Sequence, residues 1–112
     1  MTDETWQIFN LDEIRSELKN EPVAYREFLR VPALSCGVYR LAAGSQDMQS
    51  PHDEDEVYYV VEGKAQLKLA DKIHEVGPGS VLYVKATESH SFFEIEEDMT
   101  LLVFFASAIG TS

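Results

Sequence analysis

Short apolar runs separated by turn residues fill most of the chain, and they predict an all-β fold. Each run mixes β-branched or aromatic residues with polar ones, as strands do. The predicted strands are Ala24–Arg30, Ser35–Ala42, Gln46–Ser50, Glu56–Val61, Ala65–Leu69, Lys72–Val76, Ser80–Val84, Ser89–Ile95 and Met99–Ala106. Turns are predicted at Glu62-Gly63, Ala70-Asp71 and Gly77-Pro78-Gly79. Regular spacing without intervening helices favours a β-sandwich or a closed barrel, in which strand edges are protected.

One short helix is predicted ahead of the strands, from about Leu11 to Lys19. Asn10 is a suitable N-cap, Glu13 completes a capping box, and apolar residues recur at helical spacing. We therefore divide the chain into a lead, residues 1–22, and a β-barrel domain, residues 23–112. Apolar residues before the helix are expected to fold back as a plug or an extra strand: Trp6, Ile8 and Phe9.

Alternation along the strands predicts which side chains point inward. If Ala65, Leu67 and Leu69 face the core, Gln66 and Lys68 face water, which is the pattern of a half-buried strand. The strand around His90 is apolar on both faces, so alternation alone does not assign that histidine a side.

Length and charge limit the classes of protein that need considering. The 112 residues correspond to one domain, and no apolar stretch approaches the roughly 20 residues of a membrane span. A net charge of −11 argues against nucleic acid and anionic membranes as partners. The first residues lack the pattern of a secretory signal, and the single cysteine, Cys36, suits a reducing compartment, so we expect a cytoplasmic protein. Cys36 itself is expected to be a small buried strand residue.

The segment Gly44–Gly63, together with His90, contains the candidate chemistry. It carries His52 and Glu56, and a neutral imidazole with a carboxylate suits a transition metal ion. On one straight strand these two residues would lie about 13 Å apart, too far to share an ion. A helix from Pro51 to Glu56 would bring them together but would be under two turns long. We favour a bend between them, with His52 ending one strand and Glu56 opening the next.

Other polar and aromatic residues are given structural roles. His74 is expected to be an ordinary surface or core histidine, and Asp53-Glu54-Asp55 a solvated acidic turn. Tyr58 and Tyr59 are expected to be core and surface aromatics, with a smaller chance that Tyr58 lines a pocket. Phe92 is expected to form apolar pocket wall.

The same segment resembles the first motif of the cupin superfamily, which reads Gly, five residues, His-x-His, three or four residues, Glu, six residues, Gly. Here Gly44, Ser50-Pro51-His52, Glu56 and Gly63 fit that spacing without a gap. The second motif, Gly-Asp then Pro-x-Gly-x-x-His, is degenerate. Its places are taken by Gly79-Ser80, Lys85, Thr87 and His90. The resemblance covers roughly Arg40 to Ala106.

This resemblance implies a small single-domain cupin: a jelly-roll (double-stranded β-helix) barrel with a divalent metal in its mouth. The implied ligands are His52, Glu56 and His90. Ser50 stands where the family usually has another ligand histidine, and Gln46 or Gln49 could supply a neutral oxygen instead. The metal would be Fe, Mn, Ni or Zn, its identity open, and the family habit of pairing barrels implies a homodimer.

Two classes of function follow from the resemblance. As an enzyme, the protein would be a small-molecule dioxygenase, isomerase or cyclase that uses the metal. Alternatively, it would be a non-catalytic small-molecule-binding cupin or a protein with a vestigial metal site. No serine–histidine pair, phosphate loop or dinucleotide fingerprint indicates another class of catalysis. The sequence does not identify catalytic residues.

Overall fold

The computed structural model describes residues 5–47 and 53–106. Within this part of the chain, one helix precedes six strands. They are α1 (Leu11–Leu18), β1 (Val23–Val31), β2 (Leu34–Leu41), β3 (Glu56–Leu69), β4 (Lys72–Val76), β5 (Val81–Val84) and β6 (His90–Ala106). No helix of these residues has the length and apolar character needed to cross a membrane.

The strands form one antiparallel sheet in the order β1-β2-β6-β3-β4, and β5 pairs with β3. Strand β3 organises this sheet because its two halves have different neighbours on one edge. Glu56–Tyr59 pair with β5, whereas Ala65–Leu69 pair with β4. Strand β6 runs along the other edge of β3 from Glu56 to Leu69. This topology confirms the all-β prediction and agrees with a jelly-roll barrel.

The core lies between the inward faces of β2, β3 and β6. Its fully buried members include Leu41, Val60, Leu67, Met99 and Leu101. Ala65 and Leu67 are buried and Leu69 is partly buried, while Lys68 is exposed, so the alternation predicted for this strand is correct. Cys36 is buried in β2, as expected.

Helix α1 forms where the sequence predicts it, one residue shorter than expected. The Asn10 side chain accepts a hydrogen bond of 3.0 Å from the backbone N–H of Glu13, which satisfies one of the free amides of the first turn. Ile14 and Leu18 are buried against Val38 of β2, so the helix covers the outer face of that strand.

The predicted turn at Glu62-Gly63 is wrong, because β3 runs through it as one strand of 14 residues. Gly63 has φ +102°, and the pairing of β3 with β6 shifts register on both sides of it. A positive φ in a strand is the signature of a bulge, which bends a strand without ending it. The glycine therefore marks a change of direction in the chain, as predicted, but the change is a bend within one strand and not a turn between two strands.

Two neighbouring expectations also need correction. The predicted strands Ser89–Ile95 and Met99–Ala106 are one strand, β6, since its polar middle residue Glu97 still pairs with Lys64 of β3. Gln46 and Asp47 are not in a strand, and the rest of the predicted strand Gln46–Ser50 lies outside the described residues.

The apolar lead does not form the predicted plug or extra strand. Trp6 is 66% exposed and Ile8 85% exposed, and neither belongs to a strand. Phe9 packs locally, with its ring centroid 4.8 Å from that of Phe28.

Candidate metal and ligand site

His90 is the first residue of β6, and its side chain points into the barrel. A tight turn precedes it, in which Thr87 has φ +68°. The ring atom Nδ1 lies 3.0 Å from the carbonyl oxygen of Glu88. Because a carbonyl oxygen can only accept, the Nδ1–H must donate to it. A neutral His90 therefore carries its lone pair on Nε2, the atom that faces the interior.

Glu56 opens β3 directly opposite that nitrogen. Its Oε1 lies 3.0 Å from His90 Nε2, and both side chains are 1% exposed. The second carboxylate oxygen, Oε2, is buried and has no hydrogen-bond partner among the described residues. A lone pair facing a carboxylate in a dry site is repulsive, so a proton or a metal cation must lie between the two groups.

Hydrogen bonding to Glu56 is the main cause that raises the pKa of His90 above its ordinary value. Burial acts in the opposite direction, because it penalises the charged imidazolium. The bond to Glu88 and the negative charges of Glu56 and Asp47 add to the increase. The surroundings of Nε2 therefore favour positive charge, whether a proton or a metal ion supplies it.

Tyr58 and Asp47 also contribute to the surroundings of this pair, and sequence reasoning largely missed both. The Tyr58 hydroxyl lies 3.0 Å from His90 Nε2, and the residue is fully buried. Asp47 accepts hydrogen bonds from the Tyr39 hydroxyl (2.7 Å) and from the backbone N–H of Phe92 (2.8 Å). These partners are distant in sequence, so local spacing carries no sign of them.

The segment that leads into Glu56 bends at Asp53 and Glu54, as predicted. Asp55 is more than a solvated turn residue. Its carboxylate accepts a hydrogen bond of 2.7 Å from the N–H of Ala86, and its carbonyl accepts one of 2.9 Å from the N–H of Ala106. These bonds tie the start of β3 to the end of β6 and to the loop before His90, which fixes Glu56 beside that histidine.

The other residues proposed from the sequence fall in different places. His52, Ser50 and Gln49 lie outside the described residues. Gln46 is exposed, which argues against a role as a metal ligand, and His74 is exposed on β4. Within residues 5–47 and 53–106, no three His, Cys, Asp or Glu side chains form a group that could hold a metal. Glu56 and His90 are thus the described part of the predicted ligand set.

A cavity of about 390 Å³ lies on the same face of the sheet as this pair, although neither Glu56 nor His90 lines it. Its wall includes Val103 and Phe105 of β6, which pair with Tyr58 and Glu56 of β3, so the cavity lies one strand away from the buried pair. Its remaining lining residues come from β1, β2 and the bend before β3: Tyr25, Glu27, Arg30, Ser35, Tyr39 and Glu54. Val103 and Phe105 are its two apolar lining residues, and the other six bear polar or charged groups that could orient a small molecule.

Known proteins share this fold. A structure from Thermus thermophilus superposes with a TM-score of 0.75 at 20% identity, covering 90% of this chain and 97% of that one. A salicylate 1,2-dioxygenase from Pseudaminobacter salicylatoxidans gives a TM-score of 0.78 at 16% identity, covering 87% of this chain and 34% of that one. A DMSP lyase from Ruegeria pomeroyi gives 0.73 at 16% identity, covering 94% and 57%. Identities this low show the fold alone.

Sequence comparison identifies the family. An uncharacterised protein of Streptomyces coelicolor is 44% identical over 98 residues, which are 88% of this chain and 93% of that protein. The family model of the cupin domain matches residues 37–105, which include all of β2 except its first three residues and nearly all of β6. Because this match spans more than half of the chain, the protein belongs to the cupin family.

Proposed function

We propose that the protein is a metal-dependent cupin that binds a small molecule beside a divalent transition metal. Glu56 and His90 would hold the metal, with His52 as the third ligand. The observation that carries this proposal is the buried contact between Glu56 and His90 Nε2, at 3.0 Å. Two ligands that are each about 2.1 Å from one ion, at about 90° to each other, lie about 3.0 Å apart.

The donor set also fits such an ion. An imidazole nitrogen with a fixed lone pair and a carboxylate are the ligands that iron, manganese, nickel and zinc accept. The bond from Nδ1 to the Glu88 carbonyl would orient the ring, as outer hydrogen bonds commonly do for ligand histidines. The unpaired Oε2 of Glu56 is a buried acceptor to which a cation would give a partner.

The chemistry open to such a site is that of a Lewis acid or an oxygen-activating centre. The chain's own residues would bind and orient the substrate in the cavity, where Val103 and Phe105 offer apolar contacts. Two proteins of similar fold are named as enzymes, a dioxygenase that acts on salicylate and a DMSP lyase. Because their likeness to this chain shows the fold alone, the proposed activity, that of a dioxygenase, isomerase or cyclase of a small molecule, rests on the donors Glu56 and His90.

Metal uptake by matched histidine variants tests this proposal. His90→Ala removes a ligand, whereas His74→Ala removes an exposed histidine of β4. We expect wild type and His74→Ala to bind one divalent ion per chain, and His90→Ala to lose at least about 100-fold in affinity, more than outer-sphere changes usually cost. Equal uptake by all three proteins would contradict a site at His90. Circular dichroism would show whether His90→Ala retains its fold.

A metal-free function is the second candidate, and a specific observation favours it. Both the Tyr58 hydroxyl and Glu56 Oε1 lie 3.0 Å from His90 Nε2, and the His90 pKa is raised. A protonated His90 would then form a buried ion pair, and the cavity would bind ligands without metal. In that case chelator treatment would leave the melting temperature and any ligand affinity unchanged.

We further propose that two copies of the chain pair through the outer face of the sheet. Val81 lies opposite Tyr59 and Tyr83 lies opposite Val57, so their side chains share one face. Val81 is 66% exposed, and Tyr59, Tyr83 and Phe104 are exposed as well. A contiguous apolar patch of this kind is unusual on a monomer and commonly marks an interface.

A further inference from the structure

Tyr25 lies in the cavity in a position that depends on Gly37. The two residues belong to β1 and β2, and Tyr25 is paired with Tyr39, whose ring centroid is 6.3 Å from its own. The Tyr25 hydroxyl rests on the α-carbon of Gly37, because a β-carbon built there would lie 2.1 Å from that oxygen. Only glycine at position 37 therefore leaves room for this ring.

The Tyr25 hydroxyl lies over Gly37 in the cavity, and the residue as a whole is 44% exposed. The hydroxyl has no hydrogen-bond partner among residues 5–47 and 53–106, although the neighbouring Tyr39 hydroxyl is bonded to Asp47. The hydroxyl rests on Gly37 of β2. Gly37 pairs with Val103 of β6, and Val103 in turn pairs with Tyr58 of β3. The hydroxyl therefore faces the same interior as the Glu56–His90 pair, two strands away.

Electrostatics keep this hydroxyl protonated. Burial, followed by the negative charge of Glu27 and smaller effects of Cys36 and Glu56, raises the pKa of Tyr25 to about 12. At neutral pH the group is therefore a hydrogen-bond donor. Because Glu27 and Arg30 pair with each other at 2.9 Å, neither needs the phenol as a partner.

We propose that Tyr25 binds the ligand of this site by donating a hydrogen bond to one of its oxygen atoms. Such a ligand would need an oxygen that accepts this bond and two neighbouring oxygens that could chelate the proposed metal, as a catechol or a β-dicarbonyl has. Its oxygens would face the Glu56–His90 pair, and its apolar body would pack between Tyr25, Val103 and Phe105. This inference rests on the proposed metal site, because the two neighbouring oxygens of the ligand would bind that metal.

Removing the hydroxyl alone tests this role. Tyr25→Phe keeps the ring, and Tyr83→Phe is the matched control on the outer face of the sheet. Each protein is loaded with the divalent metal that wild type takes up, its metal content is measured, and 4-nitrocatechol binding is followed by absorbance. We expect all three to hold equal metal, and Tyr25→Phe to bind the probe about 3- to 10-fold more weakly, as for the loss of one hydrogen bond. Tyr83→Phe should bind as wild type does.

A second variant tests the position of the ring. Gly37→Ala should push Tyr25 out of the cavity and weaken probe binding at least as much as Tyr25→Phe, with metal content unchanged. Its fold is checked by circular dichroism, and Tyr25→Phe remains decisive if it fails to fold.

The outcomes separate this inference from the proposed function. Wild type that takes up no metal would contradict the metal site, and the inference with it. Wild type that binds metal but neither 4-nitrocatechol nor acetylacetone would overturn only the ligand assignment. Equal probe affinity in Tyr25→Phe and wild type would overturn the role of the hydroxyl, as would loss of metal from Tyr25→Phe.

Discussion

At the scale of single residues, one buried contact determines the chemistry that this barrel can support. Glu56 and His90 would each be costly to bury alone, and together they require a positive charge between them. If the proposed metal binds at His90 Nε2, its competition with a proton would make metal binding depend on pH.

Metal should stabilise the protein more as the pH rises. The His90 pKa is raised in the fold, so its protonation stabilises the metal-free protein fully below about 6.5, its unfolded value. That contribution is lost as the pH rises through the raised pKa. A metal ion needs the neutral ring, so its effect grows over the same range. Thermal melts of metal-free and metal-loaded protein between about pH 6 and about pH 9 would measure this.

The matched variant for this experiment is His90→Gln, which cannot titrate. Its metal-free melting temperature should lack the decrease that wild type shows as the pH rises. A metal-induced change in melting temperature that is independent of pH in wild type would contradict the competition.

Sequence reasoning reached part of this site. The spacing of the two motifs predicted that Glu56 and His90, which are 34 positions apart, lie in one site. The structure places them in contact. Sequence reasoning missed Tyr58 and Asp47 as partners, because their hydrogen bonds depend on the register of distant strands. It also left the side of His90 open, which was decided by the turn at Thr87 and the bond to Glu88.

At the scale of elements, the bulge at Gly63 allows the single strand β3 to pair with both β5 and β4 on one edge. The strand bends after Val60. Its first half, which carries Glu56, pairs with β5, and its second half pairs with β4. Composition could not distinguish a bulge from a turn here, since glycine after a polar residue is common to both. The difference was decided by β6, which pairs with β3 on both sides of the glycine.

Gly63→Ala should therefore destabilise the fold strongly. A β-carbon at this position would lie 2.6 Å from the Asp98 carbonyl oxygen and 2.6 Å from the Met99 α-carbon, in addition to the strain of φ +102°. We expect a loss of about 2–4 kcal/mol in the free energy of unfolding, measured by urea denaturation.

Gly79→Ala is the control for this substitution. Its φ is +90°, but a β-carbon there meets nothing within 4 Å, so it carries the backbone strain alone. It should cost about 1 kcal/mol. Equal losses in the two variants would show that the close approach of β6 to Gly63 has no energetic effect.

At the scale of the whole molecule, the exposed apolar face of β3, β5 and β6 predicts a dimer. Val81→Lys puts a charge in this patch, whereas Ile73→Lys puts one on β4, where Ile73 is 60% exposed. Light scattering at micromolar concentration should give a dimer mass for wild type and Ile73→Lys. Val81→Lys should give a monomer mass, because burying an unpaired charge opposes association. A monomer mass for wild type would contradict the proposal.

The exposed lead offers a second check on the assembly. Trp6 and Ile8 contact solvent in one chain, and a neighbour's sheet could cover them. Deleting residues 1–9 should weaken the dimer if they take part, and should leave its mass unchanged if only the sheet face does. The sequence alone could not separate these surfaces, because the apolar patch depends on strand pairing.

The most direct test of the central claim is anomalous diffraction at the absorption edge of a metal loaded into wild-type crystals. We predict one peak per chain within about 2.0–2.2 Å of His90 Nε2 and of a Glu56 carboxylate oxygen, with His52 completing the set. A fully loaded crystal whose only peak lies elsewhere, at His74 for example, would contradict the claim. So would the absence of any peak while Glu56 and His90 remain paired with each other.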